Sequence, residues 1–171
     1  KVHMEGRRHA DQGREIIMIG HNGHPEVEGT RGRIPGGVQV VASIEDVLRL
    51  EVRDIKKLAY VTQTTLSVDD TRNIINSLRE RFPNIQGPEL KDICYATQNR
   101  QQSVRDLCLH IDLLLVVGAQ NSSNSNRLKE IGVEKQVPSY LIDDVDAFNE
   151  DWLGGVSSIG VTAGASAPEA L

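Results

Sequence analysis

Cysteine is scarce: the 171 residues contain two, Cys94 and Cys108, too few for a disulfide framework and enough for a metal ligand or a reduced core thiol. Either use fits a reducing compartment. Aromatic residues make up 4% of the chain and the net charge is -5. That combination provides neither the stacking platforms nor the basic stripe of a nucleic-acid binder, so no nucleic acid is expected as a partner. No apolar run approaches the roughly 20 residues of a bilayer span, and the basic segment 1–14 lacks the apolar centre of a secretory signal. No membrane partner is expected, and the reading favours a bacterial cytoplasm or a plastid stroma.

What the sequence does have is β-rich apolar runs at 16–19, 38–41, 58–62, 113–117, 140–142 and 159–162, each followed by a helix signal. Ser43 with Asp46, and Ser67 with Asp70, form Ser-x-x-Asp capping boxes, in which a hydroxyl and a carboxylate satisfy orphan helix amides. Beyond Ser67 the apolar residues Ile74, Leu78 and Phe82 recur every fourth position, the stripe of an amphipathic helix, until Pro83 stops it. Strand alternating with helix predicts an α/β fold with parallel sheets and helices packed on them.

The order of elements occurs twice, with a period of about one hundred residues. A strand ending in Gly20 enters His21-Asn22-Gly23-His24, and a strand ending in Gly118 enters Ala119-Gln120-Asn121-Ser122; this register pairs Glu26 with Asn124. The strand ending in Thr62 leads to Ser67 and Asp70, as the one ending in Thr162 leads to Ser166 and Glu169. The expected division is near Gly87-Pro88, giving domains 1–88 and 89–171. Ser166-Ala167-Pro168-Glu169 reads as a helix start, and 2–14 as a helix leading into the first strand, so both ends of the chain read as cuts through structure.

In parallel α/β sheets, ligands sit beyond the carboxyl ends of the strands, where loop amides and helix N-termini point outward. The loops expected there carry His24, Thr64, Thr65, Ser122, Ser123, Asn124 and Ser166, neutral donors suited to a phosphate or diphosphate. Singly, each also serves as a turn or capping residue. His24 and Glu26 suit an anion site or proton relay, or simply a helix first turn. His21-x-x-His24 has zinc-like spacing but no second ligand cluster to complete it. Cys94, at the start of an expected helix, is placed for a thiolate ligand or a structural thiol. Cys108, with Leu107 and Ile111, reads as a core thiol.

Five ordered motifs carry a resemblance: His24-Pro25-Glu26-Val27-Glu28-Gly29-Thr30, Thr62-Gln63-Thr64-Thr65-Leu66-Ser67-Val68-Asp69-Asp70-Thr71, Asp92-Ile93-Cys94-Tyr95-Ala96-Thr97, Asn121-Ser122-Ser123-Asn124-Ser125-Asn126-Arg127-Leu128 and Val161-Thr162-Ala163-Gly164-Ala165-Ser166-Ala167-Pro168. Together they span nearly the whole chain, which resembles the 4-hydroxy-3-methylbut-2-enyl diphosphate reductase family. The resemblance implies reductive dehydroxylation of an allylic diphosphate to isopentenyl and dimethylallyl diphosphates, on a [4Fe-4S] cluster held by three cysteines. Carried over residue by residue, it makes Cys94 one cluster ligand and Glu26 the proton donor. It puts Thr64 on the hydroxyl relay at the substrate alcohol, and gives His24, Ser122, Ser123, Asn124 and Ser166 to the diphosphate.

The implied fold is two similar three-layer α/β domains with parallel sheets, two leaves of a three-domain trefoil. The implied electron donor is a ferredoxin or a flavodoxin. The family's other two cluster cysteines have no counterpart here. Cys108 is no substitute, because it follows Cys94 by about four helical turns, roughly 21 Å at 1.5 Å per residue. The chain by itself is therefore expected neither to assemble a stable cluster nor to turn over.

Overall fold

The computed structural model describes residues 2–88, 95–165 and 167, apart from the side chains of Tyr95 and Ala96. The chain forms two compact units, Lys1–Ile93 and Cys94–Leu171. The first contains α1 (Val2–Asp11), β1 (Glu15–Ile19), α2 (Pro25–Arg31), β2 (Val38–Val41), α3 (Ile44–Arg49), β3 (Leu58–Thr62) and α4 (Val68–Arg81). Its sheet has the order β2-β1-β3 with every pairing parallel, and Ile17 lies beside Gln39 on one side and Tyr60 on the other.

The uninterrupted apolar run of β1 follows from burial on both faces. Ile17 and Ile19 point towards Val47 of α3 and Ile74, Ile75 and Leu78 of α4. Ile16 and Met18 point the other way, towards Val27 of α2, with Val2 and Ala10 of α1 packed behind. Each of these fully buried side chains contributes about 1.5–3 kcal/mol relative to exposure. The stripe expected on α4 is buried, Ile74, Leu78 and Phe82 included, and the helix ends at Arg81 ahead of Pro83.

Both arms of the capping box form at Ser43, whose Oγ accepts from Asp46 N at 3.2 Å while Asp46 Oδ2 accepts from Ser43 N at 3.1 Å. At Ser67 only one arm forms: Oγ accepts from Asp70 N at 3.3 Å, while the Asp70 residue stays exposed and makes no return bond. Gly87-Pro88 is not a free linker. Tyr60 N donates to Gln86 O at 2.7 Å, the Tyr60 hydroxyl donates to Pro88 O at 2.6 Å, and a Cβ on Gly87 would lie 2.4 Å from the Tyr60 ring. The segment is a hydrogen-bonded margin of the first sheet, and the division between units falls after Ile93.

The second unit contains α5 (Tyr95–Leu107), β4 (Leu113–Val117), α6 (Ser123–Glu134), β5 (Ser139–Ile142) and β6 (Ile159–Ala163), with sheet order β5-β4-β6, again parallel. Leu114 and Val116 of β4 pack with Val104 and Cys108 near the end of α5, Leu128 and Ile131 of α6, and Leu141 of β5. The helix signal read after β5 resolves into two 3-10 turns, Val145–Ala147 and Glu150–Leu153. Each begins on a side chain that closes its own turn: Asp144 accepts from Asp146 N, and Asn149 from Asp151 N at 2.9 Å.

Trp152, from the second turn, stacks on Tyr140 of β5 with ring centroids 3.9 Å apart. Matching the central strands pairs Ile17 with Leu115, so Val161, beside Leu115, is the counterpart of Tyr60. Tyr60 is fully buried, whereas Val161 is 63% exposed. Among the described residues no helix is long and apolar enough to cross a membrane.

Candidate active site

In the first unit, β1 ends against a close approach: a Cβ on Gly20 would lie 2.7 Å from Val27 and 3.0 Å from Gln63 Oε1. The loop beyond it delivers His24 to the N-cap of α2, where Nδ1 accepts from Glu26 N at 3.2 Å. Pro25 follows at a position whose N–H has no partner within a helix anyway. With Nδ1 accepting, a neutral His24 carries its proton on Nε2. Glu26 turns towards the loop after β3, and its Oε2 accepts from both Thr64 N and Thr64 Oγ1, each at 3.0 Å. Oε1 makes no hydrogen bond among the described residues. One carboxylate oxygen is thus anchored and the other available, on a half-buried side chain.

Gln63 went unnoticed in the sequence reading, yet it holds this arrangement together. It is 1% exposed; its Oε1 accepts from His21 N at 3.1 Å, its Nε2 donates to Thr65 Oγ1 at 3.1 Å, and its backbone N donates to Ile19 O at 2.8 Å. The available signal was a primary amide directly after the apolar run Leu58-Ala59-Tyr60-Val61-Thr62.

In the second unit, Ser122 caps α6, its Oγ accepting from Ser125 N at 3.3 Å and pairing with Ser125 Oγ at 3.0 Å. Asn126 Nδ2 ties the loop back by donating to Gln120 O at 2.8 Å and Ser122 O at 3.0 Å. Ser125, also missed in the sequence, explains two glycines: a Cβ on Gly118 or Gly164 would lie 2.3 Å or 2.1 Å from its Oγ. The tips of β4 and β6 close on that hydroxyl.

Asn124 follows at the second helical position and is 5% exposed, yet neither Oδ1 nor Nδ2 has a partner among the described residues. A buried, unpaired carboxamide costs about 1–3 kcal/mol, and such groups call for a missing partner. Here it stands at the start of a helix of 12 residues, whose open amides and dipole favour an anion. Ser123 is half-buried beside it. Glu26 and Asn124 therefore occupy the same slot in the two units, two residues after the N-cap.

Cys94 and Ser166 lie outside the described residues, as do Pro168 and Glu169. Among the described residues, no three His, Cys, Asp or Glu side chains gather as metal ligands, the His21-His24 pair included. Cys108 is buried in the second unit's core beside Leu107 and Ile111, and burial pushes its thiol pKa up.

A family-wide sequence profile described as LytB protein matches residues 1–171. The chain belongs to the LytB family. Its LytB relatives include 4-hydroxy-3-methylbut-2-enyl diphosphate reductase 2 of Bradyrhizobium diazoefficiens, 59% identical over all of this chain and 56% of that protein. The Zymomonas mobilis 4-hydroxy-3-methylbut-2-enyl diphosphate reductase is 57% identical, with 50% of its length covered. The chain thus spans about half the length of the curated LytB relatives it matches.

Among solved structures, the E-1-hydroxy-2-methyl-but-2-enyl-4-diphosphate reductase of Plasmodium falciparum superposes with a TM-score of 0.91 at 38% identity, over 99% of this chain and 53% of that one. A second structure, described as (E)-4-hydroxy-3-methyl-but-2-enyl diphosphate reductase, the terminal enzyme of the non-mevalonate pathway, gives 0.55 at 29% identity, over 98% and 59%. Within this LytB chain the first unit brings His24, Glu26 and Thr64 together, and the second brings Ser122, Ser123 and Asn124 together.

Proposed function

We propose that this chain is the part of a 4-hydroxy-3-methylbut-2-enyl diphosphate reductase that donates a proton to the substrate and grips its diphosphate. The observation that carries the reading is Asn124, a buried carboxamide with both polar atoms unpaired at a helix N-terminus. A diphosphate oxygen would accept from Nδ2 and from the open amides of α6, with Ser122 and Ser123 adding hydroxyls. Ser166 is assigned to the same group through the resemblance. Similarity to named reductases over the full chain supports this reading.

Glu26 is the proposed proton donor. Its Oε2, fixed by two donors from Thr64, leaves Oε1 to carry and release the proton, and the Thr64 hydroxyl orients the pair towards the substrate alcohol. A [4Fe-4S] cluster, with Cys94 as one ligand, would supply the two electrons. The described residues do not themselves form a metal site. The electron donor would be a ferredoxin or flavodoxin, and the compartment a bacterial cytoplasm or plastid stroma.

The test is Glu26→Gln in the full-length protein under anaerobic conditions, with turnover and substrate binding measured separately. The expected result is turnover lowered by about 100-fold or more with binding retained, as for loss of a general acid. Unchanged turnover would remove Glu26 as the proton donor and leave this chain a phosphate-binding role alone. Anaerobic reconstitution of the chain by itself, with iron and sulfide counted, should yield no stoichiometric cluster.

A further inference from the structure

The opposite, amino-terminal edge of the first sheet carries a feature that the proposed reaction does not use. Two adjoining hollows of about 240 Å³ and 550 Å³ share Glu15, Ile16, Gly36, Gly37 and Arg53. Arg14 and Lys57, each immediately before a strand, line the smaller one together with Arg53. None of these three cations has an ion-pair partner among the described residues, although the chain carries more carboxylates than cations. Arg14 Nε is also a buried donor with no acceptor among the described residues.

Two carboxylates, Glu15 and Asp54, share the smaller hollow with these three cations and leave one cation in excess. Glu15 Oε1 accepts from Gln39 Nε2 at 2.7 Å and Oε2 from Arg53 N at 3.0 Å; Asp54 Oδ1 accepts from Lys56 N at 2.9 Å. Gly36 and Gly37 have φ of +84° and +79°, and nothing lies within 4 Å of where their Cβ atoms would be, so that wall is open backbone. Two arginines and a lysine lining a small open hollow suit a tetrahedral oxyanion, which accepts forked bonds from arginine and a point charge from lysine.

The geometry points to a phosphate-binding site at the amino edge of the first sheet, formed by Arg14, Arg53 and Lys57 and separate from the helix N-termini at the carboxyl edge. Its ligand is either free phosphate or the phosphate of a small phosphorylated metabolite, whose body would lie against Ala10 and Pro35. The test follows the Arg14 Nε–Hε NMR signal of the whole chain during titration with sodium phosphate, phenyl phosphate, or sodium chloride at matched ionic strength.

Saturation by phosphate in about the millimolar range, absent with chloride, is expected. The double variant Arg53→Gln/Lys57→Gln, at two exposed residues, should weaken binding about tenfold with an unchanged Tm. Tighter binding of phenyl phosphate assigns the site to a phosphate ester, and tighter binding of inorganic phosphate assigns it to the free ion. A linear or chloride-matched response, or affinity unchanged in the double variant, overturns the proposal.

Discussion

Replacing Asn124 by alanine should stabilise the second unit and weaken ligand binding at once. Neither polar atom of Asn124 has a partner among the described residues while the side chain is 5% exposed, so truncation relieves a burden of about 1–3 kcal/mol. The void left by one carboxamide, about 25 Å³, returns roughly 0.6 kcal/mol at ~24 cal/mol per Å³. The net gain is about 1 kcal/mol. For a unit of this size that raises the midpoint of its own thermal transition by about 4–8 °C. Calorimetry or circular dichroism on the chain, compared with Asn124→Ala, measures it. In the full-length protein the same substitution removes a bond to a charged group, and diphosphate affinity should fall by about tenfold or more. A lowered melting midpoint would refute the reasoning, because it would mean that the carboxamide is already satisfied without ligand.

Two further outcomes follow from packing and burial. Gly164→Ala places a methyl group 2.1 Å from Ser125 Oγ, so it should destabilise the second unit by about 1–3 kcal/mol. Adding Ser125→Gly should recover most of that loss; urea titration checks both, and no recovery would mean that another contact dominates. His9 is buried in the first unit, where burial, then Arg8, holds its pKa below the ordinary 6.5, against the pull of Glu5. A lowered folded pKa means that the unfolded chain binds more protons just below 6.5, so stability is complete above that value and declines as pH falls through the folded pKa. Melting of the first unit between about pH 7.5 and about pH 5.5 should show this slope, and His9→Leu should flatten it.

β1, β3 and β4 were legible because strands buried on both faces write themselves as apolar runs, whereas β2 and β6 are only partly buried. Runs 38–41, 58–62 and 113–117 coincide with β2, β3 and β4. The other three each stopped one residue short, at Glu15, Ser139 and Ala163, because the ladder continues through polar residues at Glu15 and Ser139 and a small one at Ala163. The helix signal expected after β5 became two 3-10 turns because Asp144 and Asn149 each close only one turn.

In the site, His24, Glu26, Thr64 and Asn124 came from motifs and resemblance, whereas Gln63 and Ser125 escaped. Their importance lies in long-range contacts, 42 residues apart for the Gln63–His21 bond, which local patterns do not display. That Asn124 is buried without partners could be known only from its surroundings.

The matched slots of Glu26 and Asn124 bear on how the two units diverge. A side chain just past the cap of the helix after the first strand lies outside the apolar cluster of its unit, so its chemistry is free to change while the scaffold stays as it was. One copy carries an acid there and the other an amide. A duplicated frame could in this way take on two different tasks by exchanging one side chain at a single berth.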